Sequence, residues 1–521
     1  MRLFRNFVTV GAFTALSRVL GFARDIMIAA TLGAGPVADA FFVAFKLPNL
    51  FRRLFAEGAF NSAFVPLFAR ARAEEGAPGG EAFASAVLSW LTVILLTLTT
   101  LAEIFTPLFV LVIAPGFTGG ESAEMTILFT RICFPYLAAM SLVAFMSGIL
   151  NTLDRFAVAA FAPVLLNIVL IAVLSAASWL ALSPEGSALV LSWGVFAAGV
   201  IQALVLFVAV RRAGVRLSLP RPRPSARLGR LLRLGIPGIA AGGITQINIV
   251  VGTIIASFWP GAVSYLYIAD RLYQLPLGMV GIALGVALLP ELSRRLRGGD
   301  EGGALWTQNR ALEFALMLTL PAAAALIVVP LEIVVTLFER GAWDREAGAM
   351  TAAAVSAYGF GLPAFVLIKV FSPAYFARED TATPMIFAGI SMAVNVVGSI
   401  AGAYLLGPDG LAHVGIAAAT SLAGWVNAAL LFAGLLRRGA FKPDRTLINR
   451  ALGFSVASLA LMIAAVLIAQ NFSSWFFDAD MLRGIAALLL LVLGSAAVFV
   501  LTCQLSGAFG VRDLIKAFRR G

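Results

Sequence analysis

Two stretches of this chain are apolar enough to lie in a lipid bilayer, yet they carry charge where hydrocarbon disfavours it. Residues 7–32 hold Arg18, Arg24 and Asp25, and residues 37–60 hold Asp39, Lys46, Arg52, Arg53 and Glu57. A charged side chain at the centre of a membrane helix costs roughly 2.5–3.5 kcal/mol on insertion scales, and such groups persist where they face a polar cavity or pathway. A third stretch, 262–289, holds Asp270 and Arg271, and Lys369 lies in the apolar run 349–373. The guanidinium fork binds oxyanions through two parallel hydrogen bonds. A mostly basic set of this kind fits a cargo bearing phosphate or pyrophosphate.

Spacing places these groups on helix faces. Gly11, Thr14, Ser17, Gly21 and Arg24 recur every three or four residues, as do Asp39, Phe42, Lys46, Asn49 and Arg53, which is the period of one helical face. Tyr267, Asp270/Arg271, Gln274, Gly278, Gly281 and Gly285 repeat the pattern. Three such stripes facing one another would line a wet, cationic cavity. The same residues also admit structural readings: Arg24–Asp25 and Asp270–Arg271 as pairs that lock helices, Arg53 snorkelling at a helix end, and glycine stripes as close-packing surfaces. Lys369 fits a cavity or an interface. Basic groups outnumber their acidic neighbours, which favours the cavity for Arg18, Arg24, Arg52 and Arg271. Pro48 and Pro276 lie near the charges and are candidate kink points.

The elements that must position these side chains are membrane helices. Of the 521 residues 60% are hydrophobic and 12% charged, about half the charged share of a soluble domain, and mean hydropathy is +0.95. Fourteen apolar runs approach the roughly 20 residues a spanning helix needs: 7–32, 37–60, 83–113, 125–150, 157–182, 187–210, 231–258, 262–289, 310–338, 349–373, 383–405, 411–436, 450–470 and 482–506. Arg2 and Arg5 ahead of an apolar run faintly resemble a signal peptide, but Arg18 interrupts the run and the helical period continues, so the start reads as an uncleaved first span. The net charge of +11 is better explained by basic cytoplasmic loops than by nucleic acid. Basic loops (70–72, 211–233, 294–297, 437–450, 512–520) alternate with neutral or acidic ones, which places both termini in the cytoplasm. Cys133 and Cys503 sit in apolar segments and His413 is the sole histidine, so neither a disulfide framework nor a histidine metal cluster is expected.

A repeat organises the spans. Phe64-Val-Pro-Leu-Phe-Ala-Arg70 matches Leu288-Leu-Pro-Glu-Leu-Ser-Arg294 at an offset of 224, Asn167 matches Asn395 at 228, and Arg211-Arg212 matches Arg437-Arg438 at 226. Six spans per copy give parallel halves, a transporter architecture. The expected fold is therefore all-α: 14 transmembrane helices in two related six-helix lobes, 1–212 and 231–438, with two further spans in 439–521. The basic cytoplasmic linker 213–230 carries Pro220, Pro222 and Pro224 and reads as a flexible hinge. No G-x-x-x-x-G-K-[ST] loop is present, so energy would come from an ion gradient, the membrane potential or the cargo gradient.

Ser17-Arg-Val-Leu-Gly-Phe-Ala-Arg-Asp25, Ala38-Asp-Ala-Phe41, Phe45-Lys-Leu-Pro-Asn-Leu-Phe-Arg-Arg-Leu-Phe-Ala-Glu-Gly-Ala-Phe60, Phe64-Val-Pro66 and Ala269-Asp-Arg-Leu-Tyr-Gln-Leu-Pro276 together resemble the MurJ/MviN family of lipid II flippases, in the multidrug/oligosaccharidyl-lipid/polysaccharide exporter superfamily. The resemblance covers essentially the whole chain. It implies movement of undecaprenyl-pyrophosphate-linked peptidoglycan precursor from the inner to the outer leaflet of the bacterial inner membrane, by alternating access. It implies that Arg18, Arg24, Arg52 and Arg271 are the cavity arginines. Arg24, Arg52 and Arg271 would hold the pyrophosphate, while Asp25, Asp39 and Glu57 orient them or change partners on closure. Lys46, Asp270 and Lys369 join the charged set. The two extra spans would form a groove for the prenyl tail. Some members use sodium, but the seventh span offers Gln246 and Asn248 and no carboxylate, so no metal ligand and no cofactor is assigned. Lipid II, membrane lipids and the cell-wall synthesis machinery are the expected partners of a monomer. The rival readings are a related exporter of another lipid-linked oligosaccharide or amphipathic drug, a membrane glycan polymerase, and a structural scaffold. Short outer loops disfavour the polymerase, and the intramembrane arginines disfavour the scaffold.

Overall fold

A computed structural model describes residues 2–52, 59–117, 120–477 and 480–508, and the side chains of these except 2–7, 51–52, 59, 62, 235–249, 282–283 and 285–287. The described chain is helical: α1 (Arg2–Leu32), α2 (Pro36–Arg52), α3 (Ala59–Ile113), α4 (Glu121–Cys133), α5 (Tyr136–Thr152), α6 (Phe156–Trp179), α7 (Pro184–Arg212), α8 (Ala226–Ala256), α9 (Ala262–Arg297), α10 (Glu301–Val328), α11 (Pro330–Phe338), α12 (Arg345–Phe376), α13 (Ala382–Leu406), α14 (Ala412–Arg437), α15 (Arg445–Asn471), α16 (Ser473–Phe477) and α17 (Met481–Leu505). Helices are the natural solution for a chain this apolar, because hydrocarbon offers backbone N–H and C=O groups no partner outside the segment.

Ten helical stretches among the described residues are long and apolar enough to cross a membrane. α1, α2, α8 and α9 are not among them, and α1 and α9 carry Arg18, Arg24 and Asp25, or Asp270 and Arg271, inside otherwise apolar sequence. The 125–150 run is spanned by α4 and α5, which continue into one another through Phe134 and Pro135 in helical conformation. One expected span is broken: the 310–338 run is α10 and α11, divided at Val329, whose φ of −126° and ψ of 43° are not helical. Proline removes a donor and clashes with the preceding turn, so the break falls just before Pro330. α3 is interrupted at Gly76, whose φ of 72° lies in the left-handed region.

Helix starts follow from side-chain caps. Ser183, Ser225, Asp300, Asp344 and Asp444 each accept a hydrogen bond from the backbone N–H three residues on, satisfying donors the helix leaves orphaned.

Two compact units are formed: Met1–Ser264 with Arg340–Trp343, and Tyr265–Glu339 with Asp344–Gly521. Packing thus groups α8 with the first unit, whereas the sequence repeat groups it with the second half; one reports contact and the other ancestry. Within the first unit, residues Arg340–Trp343 lie against the end of α1. Ala342 N–H donates to the Ala30 carbonyl at 2.8 Å. Gly33 has a φ of 69°, and a Cβ there would meet the Ala342 carbonyl oxygen at 2.7 Å.

The linker departs from the expected hinge. Arg216 N–H donates to Glu81 Oε1 at 3.0 Å, Ser218 N–H to Ser85 Oγ at 3.1 Å, and Trp90 Nε1 to the Arg223 carbonyl at 3.2 Å. The segment is an extended strap bound along α3. Composition alone could not reveal this, because the anchoring groups lie more than a hundred residues earlier.

In the second unit, α15 is fastened to α10 by charge. Glu313, 7% exposed, faces Arg310 at 2.5 Å and Arg450 at 2.9 Å, and Arg310 also pairs with Asp444. Asn309 donates to the Lys442 carbonyl at 3.0 Å and accepts from Asp444 N–H at 3.0 Å. Breaking a buried pair by removing one member leaves the remaining charge uncompensated. Glu313→Ala is therefore expected to cost about 3 kcal/mol, read as a lower unfolding midpoint in detergent, with Glu313→Gln intermediate. An unchanged midpoint for Glu313→Ala would refute the fastening role.

Candidate functional site

Arg24 is the best-held of the sequence candidates. It is 7% exposed, and its Nε and Nη2 donate to Asp25 Oδ1 at 3.0 and 2.6 Å. Its Nη1 donates to Asn167 Oδ1 on α6 at 2.9 Å. Asn167 in turn donates to the Ser17 carbonyl at 2.8 Å, and the guanidinium carbon lies 5.9 Å from the Phe45 ring centroid. Ser17, Gly21 and Arg24 thus face α6 through one asparagine. The stripe divides at this point: Gly11 and Thr14, on the same face one and two turns earlier, are exposed. Arg18 is exposed too, and it has no hydrogen-bond or ion-pair partner among the described residues.

Asp39 takes a different part from the arginine partner expected of it. It is fully buried and accepts hydrogen bonds from Gly261 N–H at 2.7 Å, Ser264 N–H at 2.8 Å and Ser264 Oγ at 2.5 Å. These donors lie at the start of α9, of which only the residues through Ser264 belong to the first unit. A helix N-terminus offers aligned N–H groups and partial positive charge, so it replaces the water a buried carboxylate has lost. Lys46, half-buried on α2, donates to Thr253 Oγ1 on α8 at 2.6 Å. The Arg52 side chain, Arg53 and Glu57 lie outside the described residues, as do the side chains of Gln246, Asn248 and Gly285.

The second unit carries its own group. Arg271 lies over the Tyr267 ring, 4.6 Å from the centroid, and its Nη2 donates to the Tyr267 hydroxyl at 2.9 Å. One helical turn lets i and i+4 meet, so the Tyr267–Arg271 spacing builds this clamp. Asp270 accepts from Gln274 by the same spacing. Further along α9, Tyr273 packs on Tyr358 and Phe365 of α12, with centroids 4.8 and 5.7 Å apart. Two turns on, Gly281 leaves the notch occupied by the Lys369 stem, where a Cβ would meet Lys369 Cδ at 3.1 Å. Lys369 is exposed and unpartnered among the described residues.

The structure therefore brings Arg24 and Asp25 together and ties Arg271 to Tyr267. It assigns Asp39 to capping and leaves Arg18 and Lys369 as open cations. Sequence reasoning missed Asn167, Thr253 and Ser264 as site residues. Asn167 did carry a signal, its place in the repeat: its match Asn395 is also buried and accepts from Thr420 at 3.1 Å. Among the described residues no cluster of metal-ligating side chains occurs.

Removing the Asp39 carboxylate strands three donors. Asp39→Ala is expected to cost about 2 kcal/mol and Asp39→Asn about half of that, measured as thermal stability in detergent. Equal stability of Asp39→Ala and the parent would show that the cap is idle.

The comparisons with known proteins agree on one family. The family model described as Lipid II flippase MurJ matches residues 28–486. A probable lipid II flippase MurJ of Rhizobium meliloti (strain 1021) is 50% identical over 513 residues, covering 98% of this chain and 94% of that protein. A lipid II flippase MurJ of Burkholderia cenocepacia is 35% identical over 450 residues, covering 85% of this chain and 86% of the relative. A solved lipid II flippase MurJ in an inward closed conformation superposes with a TM-score of 0.77 at 25% identity, over 98% of this chain and 100% of that one. An inward-facing multidrug transporter of the MATE family superposes at 0.67 with 17% identity, over 81% of this chain and 95% of that one, a likeness of fold alone.

Proposed function

This chain belongs to the lipid II flippase MurJ family, and we propose that it carries lipid II from the inner to the outer leaflet of the bacterial inner membrane. The observation that carries the proposal is the near-full-length identity of 50% to a relative of that name. The chain is a multi-pass transporter of a family that is not catalytic, and membrane lipids surround it. Both termini are cytoplasmic, the working unit is a monomer, and the cell-wall synthesis machinery is its partner.

The reading is a cationic cavity working by alternating access. Arg18, Arg24, Arg52 and Arg271 receive the pyrophosphate. Arg18 is open to do so. Arg271 has its plane fixed by Tyr267, over whose ring it lies and to whose hydroxyl it donates. Arg24 starts on Asp25 and Asn167 and exchanges them for phosphate oxygens. Lys46, Asp25, Glu57, Asp270 and Lys369 adjust the charge of the cavity, and α15 with α17 receive the prenyl tail. No resident cofactor is required. The membrane potential acts on any charge that moves, by roughly 2.3 kcal/mol per unit charge per 100 mV, and it resets the empty, net-positive cavity toward the cytoplasm.

Cells depleted of the protein and rescued with variants provide the test, with lipid II measured separately in each leaflet. Wild type restores outer-leaflet lipid II; Arg24→Ala, Arg52→Ala and Arg271→Ala, once shown to be inserted, lower it at least tenfold, about 1.4 kcal/mol per site. Full rescue by all three would remove the arginines from the transport site, and no rescue by wild type would remove the function.

A further inference from the structure

The strap between α7 and α8 holds a dense run of arginine on a backbone that is tied down. Beyond its bonds to Glu81, Ser85 and Trp90, Val215 is buried and Ser225 caps α8. Arg227 pairs with Glu75, and Pro220, Pro222 and Pro224 each fix φ. These ties occupy the acidic groups at hand: Glu74 with Arg70 at 2.6 Å, Glu75 with Arg227, and Glu81 with a backbone N–H. Arg212, Arg216, Arg221, Arg223, Arg230 and Arg233 remain exposed, and none has a carboxylate partner among the described residues. Leu219, Leu232 and Leu234 are exposed among them, at 66%, 49% and 53%.

Basic loops that only set topology need charge and nothing more. Here the backbone is held in one path, so the points from which the arginines project are fixed before anything binds, and leucines stand between them. The apolar sequence of α7 runs up to Val210, so the strap begins where that helix leaves the hydrocarbon. Juxtamembrane basic residues attract anionic headgroups within a Debye length, guanidinium groups bind phosphate, and exposed leucines are suited to the headgroup–acyl boundary. We propose that the 211–233 strap is a docking surface for the headgroups of anionic phospholipids in the leaflet it faces. Anionic lipid held there would brace α3 against the start of α8, because the strap is bonded to the first and continues into the second. The proposal stands apart from lipid II transport, and its test contains no lipid II.

The full chain is reconstituted in phosphatidylcholine vesicles with spin-labelled phosphatidylglycerol or spin-labelled phosphatidylcholine, and the motionally restricted fraction of each label gives the preference. The parent is expected to prefer phosphatidylglycerol. The combined variant Arg212→Gln, Arg216→Gln, Arg221→Gln and Arg223→Gln lowers that preference about twofold, as does high salt, while lysine at the same four positions retains it. The control Arg437→Gln with Lys442→Gln, in the other long basic loop, leaves it unchanged. Should the fourfold variant fail to fold, Arg221→Gln with Arg223→Gln carries the same prediction, because neither side chain makes a polar contact. The proposal is overturned by a folded variant that keeps the full preference, by a control that loses as much, or by a preference that millimolar inorganic phosphate abolishes, which would mark a small-anion site.

Discussion

A charge inside a hydrocarbon slab must be answered by the protein itself, and the arrangement of this chain depends on how it meets that demand. Three solutions appear at different costs. Asp39 is answered by backbone and hydroxyl dipoles at the start of a helix, without a counter-cation. Arg24 is answered by its own neighbour Asp25 and one asparagine from α6. Glu313 is answered by two arginines. The first and third hold helices in place. The second can be exchanged, because its partners are a carboxylate and an amide oxygen that can each accept an equivalent bond from water or substrate.

The helices were legible because each apolar run is long; where they start was not, since the caps Ser183, Ser225, Asp300, Asp344 and Asp444 lie ahead of the apolar runs and lengthen each helix beyond them. The break within a span was less legible, since the apolar run through Pro330 keeps its hydropathy while losing its helical continuity. The charged candidates were legible for the same reason as the spans, as exceptions to an apolar background. Their partners were not. Asn167 meets Arg24 across 143 residues of sequence, Thr253 meets Lys46 across 207, and Gly261 meets Asp39 across 222. Helical period tells which face a residue occupies and not what stands opposite. The strap shows the same limit: proline and arginine mark it as a loop, while the contacts that hold it belong to α3.

Differences among the cations bear on transport. A carrier has to bind its cargo and release it, so the free energy of the bound state cannot be too favourable. A cavity lined only by open arginines would hold a pyrophosphate strongly and pay in release. Arg24 begins with partners, so an anion gains from it only the difference between phosphate oxygens and the Asp25–Asn167 pair, whereas Arg18 on the same helix has no such competitor among the described residues. On the proposed function, binding at α1 is graded: Arg18 draws the anion in, and Arg24 joins only when Asp25 is displaced. A displaced Asp25 is a buried carboxylate seeking a donor, and that unpaid interaction supplies a restoring force for release once the conformation changes.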